Sequence, residues 1–370
     1  MDRVKVLLLV SNLRVANGVS SFVINYYREI KKDSISIDFA LYSDRPSPYY
    51  NEIRSNGNKI FILPSIKSLG KHLATCQSIL ENGQYDIVHD NTLHVSIPMM
   101  WCAKNKGTPV RILHSHNTKL GETQQKEVRN RLFLPLLRGL ATDYAACSEL
   151  AGEAMFGQKP FDIIPNVISS DNYRFDEKKR QIVREQMNAG RKYIIGTVGR
   201  LAEQKNPFFA VEVIKKLHEE MPDTEYWWIG SGDLDNQIKE YIESCGALNY
   251  IKLLGSRNDV LDFYQAMDCF FLPSMFEGLP VTGVEAQAMG LPMVVSDTVT
   301  KEMVYTDLVD YVNLSESINV WVKRLKKALS RKVDRKIYSG KLKQSVFSDV
   351  GCGERLGDLY ENLLRRHGGI

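Results

Sequence analysis

The sequence predicts an α/β protein built from two doubly wound, Rossmann-like domains. Three observations point there. The chain has 370 residues, too many for one ordinary core and suited to two domains of about 150–200 residues each. Short apolar runs of strand length alternate with longer amphipathic segments of helix length. The runs are continuous rather than alternating in polarity, as parallel strands covered on both faces require.

In the first half the strands are read at Val4–Val10, Ile37–Leu41, Ile60–Leu63, Ile87–Val88, Val110–Leu113 and Tyr144–Cys147. The second half repeats the scheme at Ile194–Val198, Tyr226–Ile229, Ile251–Leu254, Phe270–Leu272 and Met293–Val295. A hinge is expected near Pro165-Asn166, where a strand gives way to a polar stretch, so that 1–165 and 166–349 form separate domains. The charged run Asp176–Arg184 reads as a solvated helix. In such folds ligands lie at the carboxyl ends of the strands.

Composition narrows the function classes. Hydrophobic residues make up 44% and charged residues 25%, which describes a globular chain and not a disordered one. No apolar run approaches the roughly 18–20 residues of a membrane-spanning helix. Val4–Val10 has no small-residue cleavage site after it, so it reads as a buried strand and the protein is expected in the cytoplasm. The net charge is +4, and residues 1–165 hold 20 Lys and Arg against 15 Asp and Glu. That surplus is too weak for a nucleic-acid binder, though it would serve a membrane surface. Six separated cysteines without a C-x-x-C pair read as buried small hydrophobes, not a zinc site or disulfide framework.

The most informative segment is Pro273-Ser-Met-Phe-Glu277-Gly-Leu-Pro-Val-Thr-Gly-Val-Glu285-Ala-Gln-Ala-Met-Gly290-Leu-Pro292. A strand ends at Pro273, a Gly/Pro loop follows, and a helix begins near Val281 and stops at Gly290 and Pro292. Free backbone N–H groups at a helix N-terminus suit an anion. A carboxylate facing that anion would be repelled, so Glu277 and Glu285 should address hydroxyls instead. Glu285 is placed for a ribose diol and Glu277 for a bound sugar. The alternative is a pair of solvated surface glutamates.

A second signal follows the strand Ile194–Val198. In Gly199-Arg200-Leu-Ala-Glu-Gln-Lys205-Asn206-Pro207, Pro207 suits the first turn of a helix, which leaves Arg200 and Lys205 on the loop before it. Two cations there would neutralise a diphosphate. Gly230-Ser231-Gly232-Asp233 and Gly255-Ser256-Arg257 also follow strands, where a base would lie, but a Gly-rich turn alone says little.

These motifs resemble the retaining nucleotide-sugar glycosyltransferases of family 4, which have the two-domain GT-B architecture. That family carries a Gly-Arg-Leu then Lys-Asn-Pro loop, a Gly-Ser-Gly turn and a Pro-Ser-x-x-Glu-Gly-x-Pro-x-x-x-x-Glu-Ala block, as residues 190–300 do here. The resemblance implies two Rossmann-like domains facing a central cleft, with the final helix, within 350–370, crossing back onto the first. It implies that Arg200 and Lys205 bind the donor diphosphate, Glu285 the ribose and Glu277 the transferred sugar. The backbone of Gly278, Leu279, Pro280 and Val281 would cradle sugar and phosphate. It further implies that no catalytic metal is needed, because the cations do its work.

In the first half, the loop Ser11–Ser21 opens an amphipathic helix, and Gly18 would permit close approach of a phosphate or acceptor. The family often has two glycines where this chain has Asn17-Gly18; an ordinary strand-to-helix turn is the other reading. The family also has a histidine at a strand end near the donor sugar. In His114-Ser115-His116-Asn117 that position falls to His116, with His114 as the alternative, because spacing from Pro109 does not fix the alignment. The segment Lys126–Arg138 interleaves cations with bulky apolar residues, and would either lie on an anionic bilayer or pack into the core. The basic stretch Lys323–Lys336 is equally ambiguous and reads more like a solvated helix.

The reading is therefore a metal-independent retaining glycosyltransferase. It would move a hexose or N-acetylhexosamine from a UDP-sugar to a glycan acceptor carried on undecaprenyl diphosphate, in bacterial capsule or exopolysaccharide assembly. Peripheral contact with an anionic membrane is expected, and no nucleic acid. A UDP-sugar epimerase of the same architecture and a non-catalytic glycan-binding subunit are the alternatives. A dinucleotide-dependent oxidoreductase would want Gly-x-Gly-x-x-Gly after the first strand, which Ser11–Ser21 lacks.

Overall fold

A computed structural model of the protein describes residues 3–14, 18–121 and 124–368. Asn17, and with it part of the Ser11–Ser21 loop, lies outside the described residues, as do Met1 and Asp2. Contacts divide the chain into two compact units, Met1–Val167 with Asp349–Ile370, and Ile168–Ser348. Each is a parallel sheet flanked by helices.

Unit 1 begins β1 (Val4–Val10), α1 (Gly18–Glu29), β2 (Ile35–Leu41), α2 (Tyr49–Ser55), β3 (Ile60–Ile62) and α3 (Leu69–Gly83). It continues β4 (Ile87–Asp90), α4 (Ile97–Asn105), β5 (Val110–Ser115), α5 (Gln124–Leu140), β6 (Asp143–Ala146), α6 (Glu149–Phe156) and β7 (Asp162–Ile163). The sheet order is β3-β2-β1-β4-β5-β6-β7. The order reverses between β1 and β4, and that switch is where such a sheet opens a crevice at its carboxyl edge.

Unit 2 begins α7 (Glu177–Gln186), β8 (Tyr193–Val198), α8 (Pro207–Glu220), β9 (Thr224–Ile229), α9 (Asp235–Ser244), β10 (Ile251–Leu253) and α10 (Val260–Ala266). It continues β11 (Cys269–Leu272), α11 (Val281–Ala288), β12 (Met293–Ser296), β13 (Val309–Val312), α12 (Ile318–Ser330) and α13 (Tyr338–Lys343). Its order is β10-β9-β8-β11-β12-β13, with the switch between β8 and β11. The last helix, α14 (Cys352–Arg366), returns to unit 1.

Each core forms where the continuous apolar strands meet helical stripes. In unit 1, Val6, Leu8 and Val10 join Phe22 and Val23 of α1 with Leu356, Tyr360 and Leu363 of α14. The two helices approach closely because Gly353 has no side chain: a Cβ there would sit 2.0 Å from the carbonyl oxygen of Glu29. In unit 2, Ile195, Tyr226, Trp228 and Phe271 pack with Trp321 and Leu325 of α12.

Two strands escaped the sequence reading, β7 and β13. Both are sheet edges, and β13 is Val-Asp-Tyr-Val with only Val312 buried, so neither is a continuous apolar run. The apolar runs also understate β4 and β5, which extend to Asp90 and Ser115 through buried polar residues.

The charged run 176–184 does form a helix, capped by the Asp176 carboxylate accepting from the backbone N–H of Lys178 and Lys179. It is not wholly solvated. Arg180 donates to the carbonyls of Gln265, Ala266 and Met267 (2.9–3.0 Å), and Arg184 to Ala266 (2.8 Å). Both pair with Asp268. The orphan carbonyls at the C-terminus of α10 require donors, and these arginines supply them. Arg335, in the second basic stretch, departs from the solvated reading in the same way: it reaches the carbonyls of Tyr264 and Met289 and stacks 4.1 Å from the Phe175 ring. Five of the six cysteines are buried and Cys245 is half-buried.

Candidate active site

In unit 2 the switch point brings together the two loops singled out by the motifs. The loop leaving β8 carries Arg200 and Lys205, and the loop leaving β11 carries Glu277. They are zipped by backbone and side chain: Met275 N–H donates to Gln204 O (2.8 Å), and the Gln204 amide donates to Phe276 O (3.0 Å) and Glu277 Oε2 (3.2 Å). Lys205 Nζ donates to Glu277 Oε1 at 2.6 Å. Both side chains are largely buried, with Glu277 7% exposed, so this is a desolvated ion pair and not a surface one.

The glycines have a packing role there. A Cβ on Gly199 would sit 2.9 Å from Lys205 Cε, so glycine lets the lysine fold back over its own loop. Gly230, at φ +133°, would place a Cβ 2.1 Å from Gly199 O, and Gly232 would place one 2.2 Å from Leu201 O. The Gly-Ser-Gly turn thus buttresses the Arg200 loop, and Trp228 Nε1–H donates to Gly199 O at 2.9 Å. Arg200 itself is exposed.

α11 begins at Val281 without a side-chain cap, and Gly283 and Val284 are the first to bond back to Pro280 O. The N–H groups of the first turn face the loop of Gly278, Leu279 and Pro280. Among the described residues, Thr282 Oγ1 and Ser274 Oγ are buried without a hydrogen-bond partner. Sequence reasoning passed over both hydroxyls, and over Gln204, whose only signal was its place between two suspected cations.

Glu285 lies one turn into α11. Its Oε1 accepts from Tyr173 Oη (2.6 Å) and its Oε2 from Tyr264 Oη (2.8 Å). Burial pushes its carboxyl above the usual range, and the two phenols counter that shift. No sequence signal marked either tyrosine.

Unit 1 presents a different set of groups at its strand ends. His89 lies between two partners: its Nδ1 meets Tyr360 Oη (2.8 Å) and its Nε2 meets His114 Nδ1 (3.0 Å). His114 stacks on His116 with ring centroids 4.1 Å apart, and His116 Nε2–H donates to Asn91 Oδ1 (2.9 Å). Burial lowers His89 and His116 to about 3, and His114 well below its ordinary value. All three are neutral near pH 7. His114 and His116 line one cavity of about 350 Å³, together with Ser11, Asn91, Thr92 and His94. Gly18 opens α1, and a Cβ there would meet nothing within 4 Å among the described residues.

The model of the family described as glycosyl transferases group 1 matches residues 178–343. EpsF of Bacillus subtilis (strain 168), named as a glycosyltransferase, is 32% identical over 329 residues, 84% of each chain. An Escherichia coli enzyme, UDP-Gal:alpha-D-GlcNAc-diphosphoundecaprenol alpha-1,3-galactosyltransferase, is 26% identical over 314 residues, 80% of each chain. Among solved structures, HepE of Anabaena in complex with UDP and glucose has TM-score 0.79 at 17% identity, covering 97% of this chain and 100% of that one. The sucrose-phosphate synthase of Thermosynechococcus elongatus has TM-score 0.77 at 15% identity, covering 98% and 100%. The fold is GT-B, and the chain belongs to the group 1 glycosyltransferases of family 4.

Proposed function

We propose that this glycosyltransferase is a retaining, metal-independent enzyme of capsule or exopolysaccharide assembly. It moves a hexose or N-acetylhexosamine from a UDP-sugar to a glycan on undecaprenyl diphosphate. The observation that carries this reading is the buried Lys205–Glu277 pair at the switch point, with Arg200 on the same loop and the N-terminus of α11 opposite. Arg200, Lys205 and the backbone N–H groups of Gly278, Leu279 and Val281 stabilise the leaving diphosphate. Glu277 accepts from hydroxyls of the transferred sugar through its remaining lone pairs, and Glu285 from the ribose. His116, just past the end of β5, is the histidine we assign to the reaction, and unit 1 takes the acceptor. The acceptor hydroxyl oxygen bonds the anomeric carbon on the face that the diphosphate leaves. The C–O bond to the diphosphate breaks, and the hydroxyl proton passes to a leaving phosphate oxygen.

The nucleotide and the acceptor draw support from the relatives. The Escherichia coli enzyme is named for a UDP-sugar and a diphosphoundecaprenol acceptor, and HepE was solved with UDP-glucose. Staphylococcus aureus CapH, 24% identical over 267 residues, is named for capsular polysaccharide biosynthesis.

Membrane contact is part of the proposal and falls to α5. Leu134, Leu137 and Leu140 of that helix are buried, while Leu132 (73%), Val128 (55%), Leu136 (51%) and Phe133 (43%) are exposed beside Arg129 and Arg131. Phe133 stacks on His94, which lines the unit 1 cavity, so a lipid tail on this face would leave its headgroup near His116. No described helix is long and apolar enough to cross a membrane.

Calorimetry with UDP and GDP, first with EDTA and then with magnesium, tests the donor reading. UDP binding that ignores EDTA and falls in Arg200→Ala is expected. Binding of UDP that appears only with magnesium would overturn metal independence, and binding of GDP alone would overturn the UDP donor.

A further inference from the structure

The carboxylate assigned to the ribose is not an open group in this protein. Each oxygen of Glu285 already carries one phenol, Tyr173 on Oε1 and Tyr264 on Oε2. Both phenols are fixed by α10. Tyr264 belongs to that helix, is fully buried, and its carbonyl is held by Arg335 (2.7 Å). Tyr173 lies on the segment that enters unit 2, and the next residue in that helix pins the segment. Gln265, itself buried, donates to Arg174 O (2.9 Å) and accepts from Asp176 N–H (2.9 Å).

A carboxylate has about four acceptor positions. Two are filled here, one per oxygen, so one per oxygen remains. That residue of capacity is the pattern a vicinal diol satisfies, with one hydroxyl donating to each oxygen. A phosphate has no proton to offer and would be repelled.

We propose that Tyr173 and Tyr264 are positioning residues that aim Glu285 at the two ribose hydroxyls, so that preference for ribose over 2′-deoxyribose resides in the three-residue clamp. This rests on the reading of Glu285 as the ribose ligand. Hydrogen bonds from the phenols also favour the ionised carboxylate that burial disfavours, and losing one raises its affinity for a proton further.

The test is calorimetry of UDP and 2′-deoxy-UDP on wild type, Tyr173→Phe, Tyr264→Phe and Glu285→Gln. Wild type is expected to prefer UDP by about tenfold, the ordinary effect of a hydrogen bond to a charged group. Each Tyr→Phe variant should cut the preference to about threefold by weakening UDP alone. Glu285→Gln should bring it close to one. A merely structural loss at Tyr173 would weaken both nucleotides alike. In Tyr173→Phe the preference should also vanish at a higher pH than in wild type as the pH is lowered. Undiminished preference in both Tyr→Phe variants, with preference lost in Glu285→Gln, overturns the clamp alone. No preference in wild type, or an unchanged one in Glu285→Gln, overturns the ribose reading and the clamp with it.

Discussion

The two units share a scaffold and differ in what they hold at the carboxyl ends of their strands. Unit 2 places charges there: Arg200, Lys205, Glu277 and Glu285 on the loops and helix that follow β8 and β11. Unit 1 places His89, Asn91, Ser115 and His116 around β4 and β5, with Asp90 raised to about 6 by burial despite donors from Thr92 and Ser96. Desolvation has opposite outcomes in the two places. In unit 2 a lysine and a carboxylate are buried together and neutralise one another. In unit 1 the buried imidazoles contact one another, Tyr360 and Asn91, and surrender their protons. The carboxyl edge of the sheet therefore carries paired charges in unit 2 and neutral imidazoles in unit 1.

The widest test of this contrast is acid. Between roughly pH 6 and 4 the three buried imidazoles take up protons only on unfolding, while Asp90 takes one up only in the folded state. Over these four groups the unfolded state binds the larger number of protons, so they should cost unit 1 stability as pH falls, by about 1.4 kcal/mol per pH unit for each net proton. Hydrogen exchange should show unit 1 opening before unit 2 at pH 5, and simultaneous opening would break the comparison. His89→Gln should make the slope shallower by about 1.4 kcal/mol per pH unit in denaturant melts.

Next in size is Lys205→Ala, which leaves Glu277 buried without its cation. Unit 2 should lose about 3 kcal/mol of stability and turnover should fall at least about a hundredfold. Adding Glu277→Gln should restore stability but not turnover, which separates the pair's structural part from its chemical one. Wild-type turnover in Lys205→Ala would remove the lysine from the mechanism.

A smaller effect is expected from Gly232→Ala. Its Cβ meets Leu201 O, so the Arg200 loop must shift, and UDP affinity should drop by about tenfold in a calorimetric titration. Unit 1 should melt unchanged. Smallest are Leu132→Ser and Phe133→Ser on α5, each expected to reduce sedimentation with anionic vesicles about fivefold. If neutral vesicles bind as well as anionic ones, the arginines of that face have no part in it.

Much of this was legible in the sequence, and the exceptions share a cause. The Gly/Pro punctuation around Glu277 and the Pro207 helix start announce their loops locally, and α11 starts at Val281 as the spacing predicts. The apolar-run criterion failed at β4 and β5 because their last residues are polar and buried, and those residues are the candidate site. Tyr173, Tyr264 and Tyr360 carried no signal, since each meets its partner through tertiary packing and not through spacing. The arginines 180, 184 and 335 look like surface charge until the ends of α10 and α11 are seen to lack donors.

The close fit of Gly353 against Glu29 ties the order of synthesis to the order of folding. Residues 1–167 leave the ribosome without the helix that completes their core, and all of unit 2 is translated before α14 appears. Unit 2 is contiguous, while the first-made unit waits without Leu356, Tyr360 and Leu363 to complete the core around Phe22 and Val23. The nascent chain therefore passes through a stage in which its older half is the less finished one. A frameshift near residue 349 would leave an intact unit 2 attached to an open unit 1.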